Sequence, residues 1–408
     1  MRTVRHLLFL SIGVAALVKA APAPAFAAPA CLGKAATVVG TDGPDRLNGT
    51  AGDDVILGLA GSDTIWSRGG DDLICGNGGD DYVLESNGDS HIHGGRGGDW
   101  IEAGGGHDVV RGGSGGDDVR SGSDDVINGG GGADHVETGS GDQIIRGGAG
   151  PDFIRDQDYG GRNRLIGGPG DDDLLVYNSP ARNVLLGRGG DDSLLSGEGD
   201  DALKGGDGRD RLNGWTGDDL LDGGSALDVA FFGSDFYDRG VQANLSTGRA
   251  VGWGGDKLEA IEGLGGGAGD DVLIGDGRNN LLLGQYGDDT LDGGGGDDLA
   301  SFYYSGRYNF DFPGGPVTAD LGAGTASGEG SDTLIRIEDL KGSELPDTLI
   351  GDSGPNRLFG GRGDDNLSGL ASDDVLTGGM GTDEADGGDH VKGDVCLSVE
   401  DASNCESS

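Results

Sequence analysis

From Gly40 the sequence repeats every nine residues: GTDGPDRLN, GTAGDDVIL, GLAGSDTIW, SRGGDDLIC, GNGGDDYVL. The frame holds to Arg120, loses one residue in SGSDDVIN, and resumes with GGGGADHVE, TGSGDQIIR and GGAGPDFIR. Two eleven-residue variants, DQDYGGRNRLI and VYNSPARNVLL, flank GGPGDDDLL. Regular units return at Gly187, GGSALDVAF ends the array, and shorter arrays begin at Gly266 and Gly342. Position eight is aliphatic without a break from Leu47 through Ile56, Ile65, Ile74 and Val83 to Val119. A three-residue strand with one inward side chain, then a turn, then another such strand, gives a coil that stacks on its neighbours. A fixed short period of this kind predicts a solenoid. Glycine at positions one and four is expected to supply the positive φ of tight turns.

One aliphatic residue in nine is a thin core, and 91 of the 408 residues are glycine, the residue most costly to order. The formal charge of −44 compounds the deficit and argues against nucleic acid as a partner. Stacked acidic turns need something that binds them and cancels their charge. Carboxylates and turn carbonyls are hard oxygen ligands that suit calcium, whereas magnesium prefers stricter geometry and keeps its waters.

These units resemble the haemolysin-type, or RTX, calcium-binding repeat, G-G-x-G-x-D-x-U-x. The resemblance implies an all-β fold, a parallel β-roll, with multiple calcium ions held between turns stacked on the same side. Carried over by position six, the ligands are Asp45, Asp54, Asp63, Asp72, Asp81, Asp99, Asp108, Asp117, Asp134, Asp152, Asp172, Asp192, Asp201, Asp210, Asp219 and Asp228 in the first array. The later arrays add Asp271, Asp289, Asp298, Asp347, Asp365, Asp374 and Asp383. The sequence departs from the pattern at Ser90, Gln143, Asn163, Asn183, Asn280 and Asn356, where weak or no binding is expected. Asp125, in the eight-residue unit, is left out of the set for the same reason. Position-five aspartates such as Asp53, Asp71 and Asp218 are expected to be solvated charge.

The expected organisation is an export signal at 1–30, a main array at 31–232, β-rich inserts at 233–265 and 302–341, repeat arrays at 266–301 and 342–390, and a C-terminal cap at 391–408. Arg2 and Arg5, then LLFLSIGVAALV, then AAPAPAFAAPA form the export pattern, with cleavage after Ala27 or Ala30. Removing Arg2, Arg5 and Lys19 takes the formal charge from −44 to −47. The four cysteines suit an oxidising compartment, and sequence proximity favours Cys31–Cys75 and Cys396–Cys405 among the three pairings. The inserts VQANLSTGRAVGWGGDKLEAIEGL (241–264) and VTADLGAGTASGEGSDTLIRIEDL (317–340) align with each other. Their aromatics, Phe231, Phe232, Phe302, Tyr303 and Tyr304, are expected to build a local core that caps the roll.

Catalytic look-alikes carry little. GGSGG at 112–116 lacks the strand and helix of a hydrolase nucleophile turn, and GDSGP at 351–355 lies within the repeat frame. The sequence therefore points to a secreted, non-catalytic calcium-binding repeat protein. The alternative is a calcium-stabilised adhesin or glycan-binding surface protein with the insert aromatics as its platform.

Overall fold

The structure, a computed structural model, describes residues 29–157, 160–233, 239–303, 315–328, 330–389 and 393–406. The expected export segment therefore lies outside the described residues, except for Pro29 and Ala30.

Two nonapeptides make one coil. Alternate units feed two parallel sheets, so each strand pairs with the one eighteen residues further on rather than with its sequence neighbour. Leu47 stands beside Ile65 and Ile65 beside Val83 in the first sheet. Ile56 stands beside Ile74 and Ile74 beside Ile92 in the second. Among the described residues, no helix occurs and the two ladders run the length of the chain, from Arg46–Asn48 to Cys405–Glu406 and from Val38–Val39 to Asp401–Ser403. This is the expected all-β parallel β-roll.

The position-eight side chains of both sheets meet in one continuous core, in which Ile65, Ile74, Val119, Leu212 and Leu358 are fully buried. Each such side chain contributes roughly 1.5–3 kcal/mol by leaving water. Its neighbours at positions seven and nine point outward, as His91 and His93 do on either side of Ile92.

The inserts are β-rich as expected but do not build the expected local core that caps the roll. Gln242–Asn244, Arg249–Val251 and Gly255–Glu259 form an antiparallel meander spliced into the second sheet. Its last strand pairs in parallel with the preceding coil, Leu258 beside Leu221, and its first with the following coil, Ala243 beside Leu273. Thr318–Asp320, Thr325–Ser327 and Ser331–Ile335 repeat the arrangement between Leu291 and Leu349. Ala243, Leu258, Ala319 and Leu334 belong to the common core, so the inserts widen one face of the roll and do not close it. Phe232 and Phe302 are buried in the same core, and Tyr303 lies under the Lys341 ammonium, 4.1 Å from its ring centre. Tyr304 lies outside the described residues.

Both expected disulfides form. Cys31–Cys75, with a Cα–Cα distance of 5.7 Å, pins the Ala30–Ala35 hairpin beside Leu57, away from the main core. Cys396–Cys405, at 5.8 Å, joins the last two strands of the first sheet.

Candidate metal centre

Stacking places the position-six aspartates in two rows, one along each edge of the roll. In the first row the Asp63 N–H donates to Asp81 Oδ1, Asp81 to Asp99, and Asp99 to Asp117, each at 2.8 Å. This row is all aspartate from Asp45 to Asp228, passing through Asp134, Asp152, Asp172, Asp192 and Asp210. The main-chain carbonyl of each aspartate is also engaged, as in Tyr82 N–H to Asp63 O at 2.8 Å. One carboxylate oxygen is left.

That oxygen, Oδ2, is enclosed with no hydrogen-bond donor at every expected ligand except Asp45, Asp54, Asp72, Asp201, Asp219, Asp271 and Asp347; the hydroxyls of Ser67 and Ser196 face Asp72 and Asp201. Its surroundings explain glycine at position one. A Cβ on Gly58 would stand 2.5 Å from Asp63 Oδ2 and 2.7 Å from the Gly76 carbonyl of the next coil. Where position one is glycine, as at Gly58, it serves close approach and not positive φ as the sequence suggested; Ser67, Ala103 and Ser196 hold the same position before Asp72, Asp108 and Asp201. The left-handed residues are at positions two and four, for example Leu59 (φ 84°) and Gly61 (φ 102°). A pocket that converges a carboxylate oxygen and a carbonyl oxygen, with no donor present, has the chemistry of a calcium site.

The electrostatics agree. Burial, relieved in part by the ladder hydrogen bond and aggravated by neighbouring carboxylates, pushes Asp99 and Asp172 up to about 7. The same causes push Asp192, Asp219 and Asp289 up to about 8. Like charges held together out of water are stable only when protonated or bound to a cation.

Four exceptions share a cause. Asp45, Asp54, Asp271 and Asp347 follow Thr37, Val241, Val317 or the start of the stack, with no aspartate turn beneath them. Their Oδ2 accepts an N–H of its own turn instead: Thr41, Thr50, Gly267 and Ser343 respectively, each at 2.6 Å. Asp219 donates its N–H to Asp256 of the first insert and accepts the Asp201 N–H.

The departures from the motif are self-satisfied. Asn356 Nδ2 donates to the Glu338 carbonyl at 2.8 Å, and Asn280 Nδ2 to the Glu262 carbonyl at 3.2 Å. Asn183 Nδ2 turns to Ala181 O, Gln143 Nε2 to Ser140 O, and Asn163 Nδ2 to Asp156 Oδ2. An amide N–H thus stands where the aspartate positions have an oxygen without a donor. Ser90 Oγ accepts the Asp72 N–H, and Asp125 Oδ2 accepts the Ser121 hydroxyl. The second row is consequently interrupted at Ser90 and again from Asp125 to Asn183, with Asp108 between them, whereas the first is unbroken as far as Asp228.

Position-five aspartates are exposed as expected but are not merely solvated. Asp53 Oδ1 accepts the Asp71 N–H at 3.0 Å and Asp71 Oδ1 the Asp89 N–H at 2.9 Å, a second ladder running the other way. Sequence reasoning also missed row members outside the repeat frame. Asp256 and Asp332 accept the N–H groups of Asp219 and Asp289. Asp394 accepts that of Asp374. Asp256-Lys-Leu258 and Asp332-Thr-Leu334 carry the D-x-U signature that could have revealed the first two.

Comparison with known families supports this geometry. The model of the RTX calcium-binding nonapeptide repeat matches residues 39–74, 48–83, 86–119, 121–155, 157–175, 179–203, 195–230, 265–300, 342–371 and 359–389. No curated protein matches the chain. The matched segments span well over half of the sequence and leave out both inserts, and the chain belongs to the family of RTX calcium-binding nonapeptide repeat proteins.

Proposed function

We propose that this calcium-binding repeat protein is a secreted, non-catalytic β-roll that folds outside the cell on meeting calcium. The observation that carries the reading is the row of buried, donorless Oδ2 atoms, from Asp63 and Asp81 to Asp365 and Asp383, facing the glycine positions of stacked turns. The residues that would hold the ions are the position-six aspartates with an enclosed Oδ2, together with position-one carbonyls such as Gly76 O. Calcium supplies positive charge and a flexible oxygen coordination sphere there. The chain's own part is to bring two coils into register, so that a carboxylate from one and a carbonyl from the next share a gap. Because that gap exists only after stacking, metal affinity is folding free energy. The export pattern at 1–30 and the two disulfides support an oxidising, extracellular setting. Ligand type suggests affinities of roughly 10⁻⁴–10⁻³ M, suited to extracellular calcium.

The test is far-ultraviolet circular dichroism and hydrodynamic radius against calcium, with magnesium as control. A calcium-specific, cooperative collapse into β-structure is expected. Compact β-structure that persists in excess chelator at neutral pH would overturn the reading.

A further inference from the structure

Both inserts and the C-terminal segment return to the roll through the same short turn. Ala260-Ile261-Glu262, Arg336-Ile337-Glu338 and Ser398-Val399-Glu400 each begin with a non-glycine residue in the left-handed region, at φ 48°, 51° and 50°. Each is followed by the same pair of hydrogen bonds. The Glu262 and Gly263 N–H groups donate to Asp228 O (3.0 and 2.8 Å), those of Glu338 and Asp339 to Asp298 O (3.2 and 2.9 Å), and those of Glu400 and Asp401 to Asp383 O (3.2 and 3.1 Å). In return the glutamates accept the aspartate N–H groups: Asp228 to Glu262 Oε2 at 3.3 Å, Asp298 to Glu338 Oε2 at 2.9 Å, and Asp383 to Glu400 Oε2 at 2.8 Å. Glutamate thus occupies the place that the next aspartate takes elsewhere in the rows.

The left-handed residue replaces the position-one glycine. A Cβ added at Gly223 would overlap both Asp228 Oδ2 and the Ala260 carbonyl. At Gly293 it would overlap Asp298 Oδ2 and the Arg336 carbonyl, and at Gly378 Asp383 Oδ2 and the Ser398 carbonyl. The carbonyl therefore comes from two residues before the acid rather than five. Asp228, Asp298 and Asp383 are each fully buried, and in all three Oδ2 has no hydrogen-bond partner. Each gap thus gathers an orphaned carboxylate oxygen, a strained residue's carbonyl and a glutamate, with no donor among them. A left-handed alanine, arginine or serine carries a steric cost that glycine would avoid, so three instances with matching geometry need a reason. Aiming a carbonyl into the gap is that reason. Beyond each insert the row closes at once, since Asn280 and Asn356 donate back to the Glu262 and Glu338 carbonyls.

We propose that these three turns are closing half-sites for a divalent cation of the calcium class, completing Asp228, Asp298 and Asp383. They tie both inserts and the C-terminal segment to the roll through metal, outside the nonapeptide motif. The proposal rests on the reading of the repeat turns as calcium sites. Arg278, whose Nη1 lies 3.4 Å from Glu262 Oε1, offers that glutamate a surface ion pair but does not reach Asp228 Oδ2.

The experiment counts calcium bound to the full mature chain by equilibrium dialysis at saturating calcium, for wild type and for E262Q/E338Q/E400Q. Glutamine keeps the acceptor for each aspartate N–H and removes the charge. The triple variant is expected to hold about three fewer ions, or to bind those three about tenfold more weakly, because calcium affinity follows ligand charge count. Glu259→Gln, at a partly exposed residue beside the first turn that pairs with Lys257, leaves the count unchanged. Should the triple variant fail to fold, E400Q alone, at the end of the stack, is expected to lose one ion. An unchanged count and unchanged midpoints in variants that fold overturn the closing half-sites alone. A wild-type chain that takes up no calcium overturns the repeat reading as well.

Discussion

Asp210 Oδ2 is enclosed without a donor, whereas Asp218 stands in solvent and accepts the Gly255 N–H at 2.9 Å. Asp210→Ala should therefore raise the calcium midpoint of folding clearly more than Asp218→Ala, whose loss is that of one exposed hydrogen bond, about 1 kcal/mol. Calcium titration followed by dichroism checks this, and equal effects would sink the ligand assignment. Asn356→Asp works in the other direction. It replaces the amide donor facing the Glu338 carbonyl with a second oxygen, so the variant should be less stable than wild type in chelator and recover in excess calcium. Equal losses in both conditions would count against a cation-like role for the amide. The aspartates were legible in the sequence because a carboxylate at a fixed period has few purposes. The role of the position-one glycine was not, because the group that excludes a Cβ at Gly58 belongs partly to Gly76, one coil away.

At the scale of elements, periodicity revealed the coils because each strand carries one inward aliphatic residue, and this stacking needs no long-range information beyond the period. The inserts were harder. Their strands enter the second sheet in reversed order, with Gly255–Glu259 against the preceding coil and Gln242–Asn244 against the following one. That order is set by which edges are free when the chain returns, which alternation within 241–264 does not encode. The Cys31–Cys75 bridge holds an element with little packing of its own, since the Ala30–Ala35 hairpin shares only a small cluster with Leu57. Replacing both cysteines with serine should free this hairpin while the coils remain. Hydrogen exchange is expected to show lost protection at Ala36, whose N–H donates to Pro29 O at 2.9 Å, with Ile56 and Ile74 unaffected. The cost to global stability should not exceed about 2–4 kcal/mol, the usual range for a bridge of this kind. Loss of protection throughout the first array would instead make the bridge essential to the roll.

For the whole molecule, the proposed role of the two rows would make proton and calcium competitors for the same oxygens. Burial first, then neighbouring carboxylates, raises Asp81, Asp108, Asp117, Asp152 and Asp210 to about 6, Asp99 and Asp172 to about 7, and Asp192 and Asp289 to about 8, from the ordinary aspartate value of 3.8. Groups whose folded pKa lies above the unfolded one favour the fold while protonated, so their contribution is complete below about 4 and is lost as pH rises through roughly 6 to 8. The metal-free chain should accordingly be expanded at about pH 8.5 and more compact at about pH 5.5, the latter still above its isoelectric point of 4.1. With calcium the pH dependence flattens, because at high pH ions take the place of those protons. The chain folds at about pH 8.5 as well, and the calcium concentration needed to fold it falls as pH falls through the same window, because protons already favour the fold, although each folded site then binds calcium more weakly. Sodium chloride at equal ionic strength should not substitute, since screening reaches exposed charge such as Asp53 far better than the enclosed Oδ2 atoms. Hydrodynamic radius measured across pH in chelator, in calcium and in sodium chloride separates these effects. A metal-free chain equally compact at both pH values would show that something other than the enclosed carboxylates controls folding.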